Sequence, residues 1–263
     1  MKINEMFSIE GKIAVITGGY KGIGMMIARS YVENGAKVYI TARNEEGLKE
    51  SAKELSKLGQ CVPIVSNLST LKGVESFAEE MLTCESEIDI LINNAGTSAV
   101  EPFASFSEES WDSVVDLNLK SPFFLTQKLL PALEREDYVG DWSRVINVVS
   151  VDGIGTSPYE TYSYSASKGS LVHLTRVMAE HLTKKGVRVC ALAPGTFASD
   201  INYPARDNPE LCAKPIPAGR IGNDEDMAGT AIYLASKAGE YVIGTTVIVD
   251  GGLTFGTPYG IKS

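Results

Sequence analysis

The chain has 263 residues, of which 44% are hydrophobic and 22% charged, and such proportions predict a globular protein that buries its own core. A formal net charge of −9 argues against nucleic acid and against an anionic membrane as the main partner. The first residues lack a signal-peptide pattern, and no apolar run reaches the roughly eighteen residues that a membrane span needs. We therefore expect a cytoplasmic protein.

Cysteine and histidine give no sign of a metal site or of a disulfide framework. The cysteines are widely spaced and form no Cys-x-x-Cys pair, so reduced, buried thiols are expected. His173 and His181 lie on one predicted helix without a carboxylate cluster around them, and we expect no metal.

Short β-rich runs alternate with helical patterns along the whole chain. Strands are predicted at 13–17, 37–41, 61–65, 88–92, 144–149, 187–192 and 246–249. Helices are predicted between them, at 25–33, 45–58, 74–82, 108–134, 164–184 and 225–235. This alternation is typical of a parallel sheet with helices on both faces.

Pro63 places the third strand at an edge of that sheet, because proline lacks the N–H that a central strand must donate. No linker or repeat interrupts the pattern. We therefore predict a single α/β domain over residues 1–263. It would be a doubly wound Rossmann fold with seven parallel strands in the order 3-2-1-4-5-6-7.

A glycine-rich turn follows the first strand and opens a helix. Gly18, Gly22 and Gly24 allow a tight turn and let a pyrophosphate approach the helix N-terminus. The second strand is followed by Arg43, where a carboxylate would bind the ribose of NAD. With Lys21 in the turn, Arg43 suits a 2′-phosphate, so we predict NADP(H) over NAD(H). Two solvated surface charges are the alternative.

Tyr164 and Lys168 are four residues apart on a predicted helix, so they lie on one face. At roughly 4 Å, an ammonium stabilises a phenolate by about 4 kcal/mol, or about 3 pK units. That predicts a tyrosine that titrates near neutrality and exchanges a proton with a carbonyl or an alcohol. Tyr233 and Lys237 have the same spacing. Only Tyr164 follows a strand that ends at a serine, Ser150, so we predict that Tyr233 packs in the core.

Together these motifs resemble those of the short-chain dehydrogenase/reductase family. The turn at 17–24 looks like its glycine motif, and Asn93-Asn94-Ala95-Gly96 looks like the motif after its fourth strand. Pro194-Gly195 after the sixth strand and Asp250-Gly251-Gly252 near the end also match. The resemblance implies an NADP(H)-dependent enzyme that reversibly reduces a small-molecule carbonyl to a secondary alcohol.

The resemblance assigns catalysis to Asn118, Ser150, Tyr164 and Lys168. Tyr164 would be the acid in reduction and the base in oxidation. Lys168 would lower its pKa and hydrogen-bond the nicotinamide ribose. Ser150 would position the substrate oxygen, and Asn118 would hold a water that links Lys168 to solvent.

The resemblance also assigns residues along the sheet's carboxyl edge to the cofactor. Two of them depart from the family pattern, since Asn67 replaces an aspartate and Ser199 stands where a threonine is usual. The full set is Gly18, Tyr20, Lys21, Gly22, Ile23, Gly24, Arg43, Asn67, Leu68, Asn94, Ala95, Gly96, Tyr164, Lys168, Pro194, Gly195, Thr196 and Ser199.

Residues 197–220 lie where the family keeps a mobile substrate lid, and an ordered surface excursion is the alternative. Asp152 is expected to cap its loop rather than to contact substrate. An apolar wall for the pocket is expected from Tyr159, Tyr162, Phe197 and Tyr203.

An unusually apolar helix implies, by the same resemblance, a homodimer or homotetramer built on that helix and on the helix after Tyr164. Its apolar side chains are Trp111, Leu117, Phe123, Phe124, Leu129 and Leu130.

Residues 93–98 and 150–154 look most like the 3-oxoacyl reductase branch, which predicts a 3-oxoacyl thioester as substrate. A sugar-acid or polyol dehydrogenase of the gluconate 5-dehydrogenase type has nearly the same motifs. A non-catalytic NADP-binding sensor is a third hypothesis, and the intact catalytic set argues against it. Acyl carrier protein is acidic, so the first hypothesis needs a basic patch, with Lys128, Arg135 and Arg176 as candidates.

Overall fold

Seven parallel strands form one sheet in the computed structural model, which describes residues 2–135 and 142–256. The strands are β1 (Ile13–Thr17), β2 (Lys37–Ala42), β3 (Cys61–Val65), β4 (Ile90–Asn93), β5 (Ser143–Val148), β6 (Val187–Pro194) and β7 (Thr246–Val249). Their order, β3-β2-β1-β4-β5-β6-β7, confirms the prediction, and Pro63 lies on the edge strand β3.

Helices connect the strands and confirm the predicted alternation. They are α1 (Ile3–Met6), α2 (Gly22–Glu33), α3 (Glu45–Leu55), α4 (Leu71–Cys84), α5 (Glu108–Val115), α6 (Ser121–Leu133), α7 (Tyr162–Leu182), α8 (Tyr203–Asp207), α9 (Pro209–Ala213) and α10 (Asp224–Ala235). In the described part of the chain, no helix is both long enough and apolar enough to cross a membrane.

Apolar cores lie on both faces of the sheet. Successive strand residues point to opposite faces, so Ala14 and Ile16 pack with α2, α3 and α10, whereas Val15 packs with α4, α6 and α7. All four cysteines are free thiols. Cys61 and Cys190 are buried as expected, but Cys84 is exposed.

The strand order reverses between β1 and β4, so their carboxyl ends border a crevice, which is where doubly wound sheets bind ligands. β4 begins two residues later than predicted. The reason is that the Ile88 N–H donates to the Ala132 carbonyl at 2.9 Å and not to a neighbouring strand.

Candidate active site

The turn between β1 and α2 is built so that backbone, and not side chains, faces the crevice. Gly18 and Gly22 have φ angles of 66° and 53°, in the left-handed region that glycine adopts without strain. A Cβ atom on Gly24 would lie 2.2 Å from the Gly18 carbonyl oxygen. The turn therefore packs so tightly on the start of α2 that no side chain fits at Gly24; we call this turn the glycine cradle, and backbone N–H groups at such a helix start suit a phosphate.

The residues after β4 hold this cradle in place. The Thr17 hydroxyl accepts hydrogen bonds from the backbone N–H groups of Asn94 and Ala95, both at 2.9 Å. The Asn94 side-chain amide donates to the Thr17 carbonyl at 2.8 Å. The two motifs that were 77 residues apart in the sequence therefore form one unit across the strand reversal.

Ser150 and α7 meet at the same edge of the sheet. Ser150 is buried just beyond the end of β5, and its hydroxyl accepts from the Asp152 N–H at 3.1 Å. The following turn, Val151–Gly153, lies directly on α7, since a Cβ atom on Gly153 would be 2.6 Å from the Lys168 carbonyl carbon. This packing brings Ser150 beside Tyr164.

Lys168 is buried beneath Tyr164. Its ammonium nitrogen donates to the Val148 carbonyl at 2.7 Å and lies 5.8 Å from the centre of the Tyr164 ring. Burial lowers the pKa of Lys168 from 10.5 to about 8. A group with that pKa takes up and releases protons close to neutral pH.

The prediction that Tyr164 titrates near neutrality is wrong for this structure. Burial raises the pKa of Tyr164 to about 12; the Ser150 hydroxyl lowers it, and the negative charge of Asp152 raises it further. The four-residue spacing of Tyr164 and Lys168 predicts an ammonium beside the phenol oxygen. Here the ammonium contacts a backbone carbonyl, and desolvation of the phenolate is the larger effect.

Asn118 lies in a π-helical turn, Asp116–Lys120, between α5 and α6, where one continuous α-helix was predicted. Its side chain accepts from the Thr97 N–H and donates to the Thr97 carbonyl, both at 2.9 Å, and donates to the Ser167 hydroxyl at 3.2 Å. A Cβ atom on Gly96 would lie 3.3 Å from Asn118 Oδ1 and 3.6 Å from Lys168 Nζ. Asn118 therefore positions the segment next to Lys168; its predicted role in holding a water stays a prediction.

One sequence signal for the π-helical turn was missed. Pro122 follows it and cannot donate a hydrogen bond to the preceding turn, so a regular α-helical ladder cannot continue through this position. Such single turns often occur at functional sites, and this one lies beside Asn118 and Lys168.

The two predicted phosphate-binding cations differ in their contacts. Lys21 forms an ion pair with Asp200 at 2.7 Å, and its ammonium lies 5.1 Å from the centre of the Tyr20 ring. Arg43 is exposed and forms no ion pair with any described residue. Ser199 lies on the glycine turn, since a Cβ atom on Gly22 would be 3.2 Å from the Ser199 Cβ.

The remaining predicted cofactor residues border the same edge of the sheet. Asn67 is exposed and its Oδ1 accepts from the Ser69 hydroxyl at 2.7 Å, whereas the Leu68 side chain is buried in the core. The Gly195 N–H donates to the Val249 carbonyl at 2.9 Å, and the Thr196 carbonyl accepts from Gly222 at the same distance. Tyr20 and Ile23 are partly buried against the core, and Pro194 ends β6.

Phe197, Asp152 and Arg135 do not have the positions that the sequence predicted. Phe197 is 2% exposed and packs in the core, so it is no pocket wall. Asp152 does not cap its loop: Ser150 does, and the Asp152 carboxylate accepts no hydrogen bond from a described residue. The Arg135 guanidinium donates to the Ile88 carbonyl at 3.0 Å. Ile88 lies before β4, at the amino-terminal ends of the strands, so Arg135 cannot belong to a basic patch at the carboxyl ends, where the site is.

An aromatic groove of about 620 Å³ lies beside the start of α7 and was not predicted. Tyr162 lies in this groove, 5.4 Å from Phe103 between ring centres, and its hydroxyl donates to Glu160. The groove is lined by Phe103, Phe106, Ser107, Glu108, Trp111 and Tyr162.

A doubly wound parallel sheet with a glycine cradle at its strand reversal, and with a buried serine, a buried lysine and a half-buried tyrosine beside it, defines a dinucleotide-dependent oxidoreductase. The family model for short chain dehydrogenase matches residues 12–210. The chain therefore belongs to the short-chain dehydrogenase/reductase family, as the resemblance implied.

Three relatives illustrate the match. The rhamnolipids biosynthesis 3-oxoacyl-acyl-carrier-protein reductase of Pseudomonas aeruginosa is 39% identical over 249 residues, which cover 94% of this chain and 97% of that protein. A solved Pseudomonas aeruginosa RhlG/NADP active-site complex has a TM-score of 0.91 at 38% identity, and the match covers 95% of this chain and 99% of the other. A Burkholderia cenocepacia gluconate 5-dehydrogenase in complex with NADP and tartrate has a TM-score of 0.88 at 30% identity, over 97% and 100% of the two chains.

Proposed function

We propose that this protein uses NADP(H) to reduce a carbonyl to a secondary alcohol, reversibly, and that a 3-oxoacyl thioester is its substrate. The observation that carries the proposal is the convergence of Ser150, Tyr164 and Lys168 beside the glycine cradle. The Pseudomonas aeruginosa 3-oxoacyl reductase, at 39% identity, supports the choice of substrate.

The cradle fits a dinucleotide phosphate, because Gly18 and Gly22 put no side chain in the turn and because α2 begins there with free backbone N–H groups. Lys21 and Arg43 are both exposed near its rim and would hold a 2′-phosphate. When bound, the nicotinamide supplies the hydride for reduction or accepts it for oxidation.

Tyr164 supplies the proton in reduction. Its pKa of about 12 keeps the phenol protonated at neutral pH, which is the form that donates to a carbonyl oxygen as negative charge develops there. The Ser150 hydroxyl donates a second hydrogen bond to the same oxygen and stabilises the charge. Lys168 holds its ammonium below the ring, where a positive charge favours the phenolate that remains after proton transfer.

A sugar acid is the second candidate substrate. The Burkholderia cenocepacia gluconate 5-dehydrogenase supports it, because that enzyme is similar over nearly the whole chain. The catalytic residues would act in the same way on the keto group of an open-chain sugar acid. The two substrates differ in charge, because a sugar acid carries a carboxylate. At the site that carboxylate would lie close to the half-buried Asp152.

We also propose that the protein acts in the cytoplasm as a homodimer or homotetramer. Part of the predicted apolar helix face is used within the chain, since Leu129 is fully buried. Trp111 and Phe123 remain 42% and 37% exposed, and Val177 on α7 is 42% exposed. Such side chains suit a contact between copies, and a stable monomer in sedimentation would contradict it.

The segment 197–220 contains the short helices α8 and α9. We propose that it closes over the substrate as a lid. Exposed Tyr203 and Leu211, each 61% exposed, give its surface an apolar character that suits an acyl chain.

The test is a set of turnover assays on the purified protein that follow the absorbance of reduced nicotinamide. NADPH and NADH are each paired with 3-oxoacyl thioesters, with keto sugar acids and with small diketones. Turnover of the thioesters with NADPH supports the proposal, and turnover of only the keto acids selects the second candidate. Tight NADPH binding without turnover of any substrate would favour a sensor.

A further inference from the structure

An acidic residue of the proposed lid, residues 197–220, contacts the glycine turn between β1 and α2. One carboxylate oxygen of Asp200 accepts from the Lys21 ammonium at 2.7 Å, and the other accepts from the Arg206 guanidinium at 2.8 Å. Lys21 and Asp200 are separated by 179 residues, and about half of each side chain is exposed. The carboxylate therefore bridges a cation of the glycine turn and a cation of α8.

The contact lies at the mouth of the cradle. Ser199, which precedes Asp200, is close enough to Gly22 that a Cβ atom there would approach it to 3.2 Å. Hydrogen bonding to Lys21 lowers the pKa of Asp200, so the carboxylate is charged at neutral pH. A negative charge is thus held on the lysine that would receive the 2′-phosphate.

We propose that Asp200 is a specificity-determining residue that competes with the cofactor's 2′-phosphate for Lys21, an inference that rests on the proposed use of NADP(H). Two anions that share one exposed lysine repel each other, and the repulsion is felt by NADPH but not by NADH, which lacks the phosphate. The preference for NADP(H) is then set by three residues: Lys21 and Arg43 raise it, and Asp200 lowers it. Arg206 limits the competition, because it keeps one carboxylate oxygen engaged.

The experiment measures dissociation constants for NADPH and NADH by fluorescence titration, without substrate. Asp200→Asn should tighten NADPH binding by about two- to fivefold, the scale of an exposed ion pair, and should leave NADH binding unchanged. Arg206→Gln frees the second oxygen of Asp200 and should weaken NADPH binding by a few fold. The matched control is Asp207→Asn, because Asp207 pairs with Arg206 but not with Lys21.

A second comparison measures the contribution of the Lys21–Asp200 ion pair alone. In a Lys21→Met background, Asp200→Asn should change the NADPH dissociation constant less than about twofold, because the shared cation is gone. The proposal is overturned if Asp200→Asn weakens NADPH binding, or changes NADPH and NADH equally. It is also overturned if Asp207→Asn has the same effect. Failure of the wild-type protein to bind either cofactor would instead overturn the proposed function.

Discussion

Two Tyr-x-x-x-Lys pairs with identical spacing have different environments in this molecule. Tyr164 and Lys168 both lie on α7, and Lys168 is 3% exposed with its ammonium on the Val148 carbonyl. Tyr233 lies near the end of α10, and Lys237 lies beyond that helix and is exposed.

The second tyrosine contributes to packing, as predicted. Its ring lies 6.4 Å from that of Phe7 and packs against the core under α2 and α10. The nearby Ser236 hydroxyl donates to the Tyr233 backbone carbonyl at 3.2 Å and not to its phenol. The four-residue spacing therefore determines only that a tyrosine and a lysine are neighbours along the chain. Burial beside the carboxyl end of a strand supplies the shifted pKa values that chemistry needs.

Phenylalanine in place of each tyrosine should give the largest contrast. Tyr164→Phe removes the proposed proton donor and should lower kcat/KM by about 10³-fold, within the range of general acid catalysis. Tyr233→Phe should leave kcat/KM unchanged. The measurement is NADPH oxidation with the best substrate of the panel. Undiminished turnover by the Tyr164 variant would show that another group donates the proton.

The two serines near these tyrosines sharpen the contrast. Ser150→Ala removes the proposed hydrogen bond to the developing oxyanion and should lower kcat by about 10²-fold. Ser236 is also buried, but its hydroxyl donates to the Tyr233 carbonyl at 3.2 Å, so Ser236→Ala should leave kcat unchanged. Equal losses in the two variants would indicate a general effect on folding, which thermal unfolding would detect.

The two lysines should differ in how pH affects stability. Lys168 has a pKa of about 8 in the folded protein and 10.5 as its ordinary value, so between these values the unfolded chain binds more protons. Stability from this group therefore rises with pH. Relative to Lys168→Met, the wild type should gain about 2 kcal/mol of unfolding free energy between about pH 7.5 and 9.5.

Urea unfolding at several pH values measures this difference. Lys237→Met is the control, because it removes a lysine from an exposed position. A difference between wild type and Lys168→Met that stays constant with pH would mean that Lys168 is not desolvated by the fold.

Alanine in place of two glycines should change stability in opposite directions. A Cβ atom on Gly153 would lie 2.6 Å from the Lys168 carbonyl carbon, so Gly153→Ala should destabilise the protein by about 1–3 kcal/mol and lower activity. A Cβ atom on Gly229, within α10, would meet nothing within 4 Å. Gly229→Ala should raise stability by about 1 kcal/mol with activity unchanged. Thermal unfolding and turnover of both variants would check this.

The architecture was predictable because its signals are local. Alternating β and α patterns require a parallel sheet, and Pro63 cannot lie on a central strand. The glycine turn and Asn94 were predictable as neighbours, because both follow strands that border the reversal of strand order. Predicted strand and helix boundaries differed by a few residues, where side-chain or loop contacts such as that of Ile88 replaced the ladder.

The chemistry at the site was less predictable, because it depends on how far each ionisable side chain is buried in the protein. Desolvation, and not the lysine, dominates the pKa of Tyr164, and no sequence pattern reports how deeply a phenol is buried. Arg135 illustrates the same limit, since this charged residue is half-buried and donates to backbone carbonyls. Phe197 was predicted to face a pocket and instead fills the core.

By itself, the sequence determined the family, the order of the strands and the residues that gather at the carboxyl edge of the sheet. These follow from hydrophobic periodicity and from residue types whose backbone geometry is restrictive, chiefly glycine and proline. Only the tertiary structure decided the pKa of Tyr164, the hydrogen bonding of Asn118 and the pairing of Lys21 with Asp200. Each of these depends on burial or on contacts between residues distant in the chain, and the free energy of a charge or hydrogen bond depends on those surroundings.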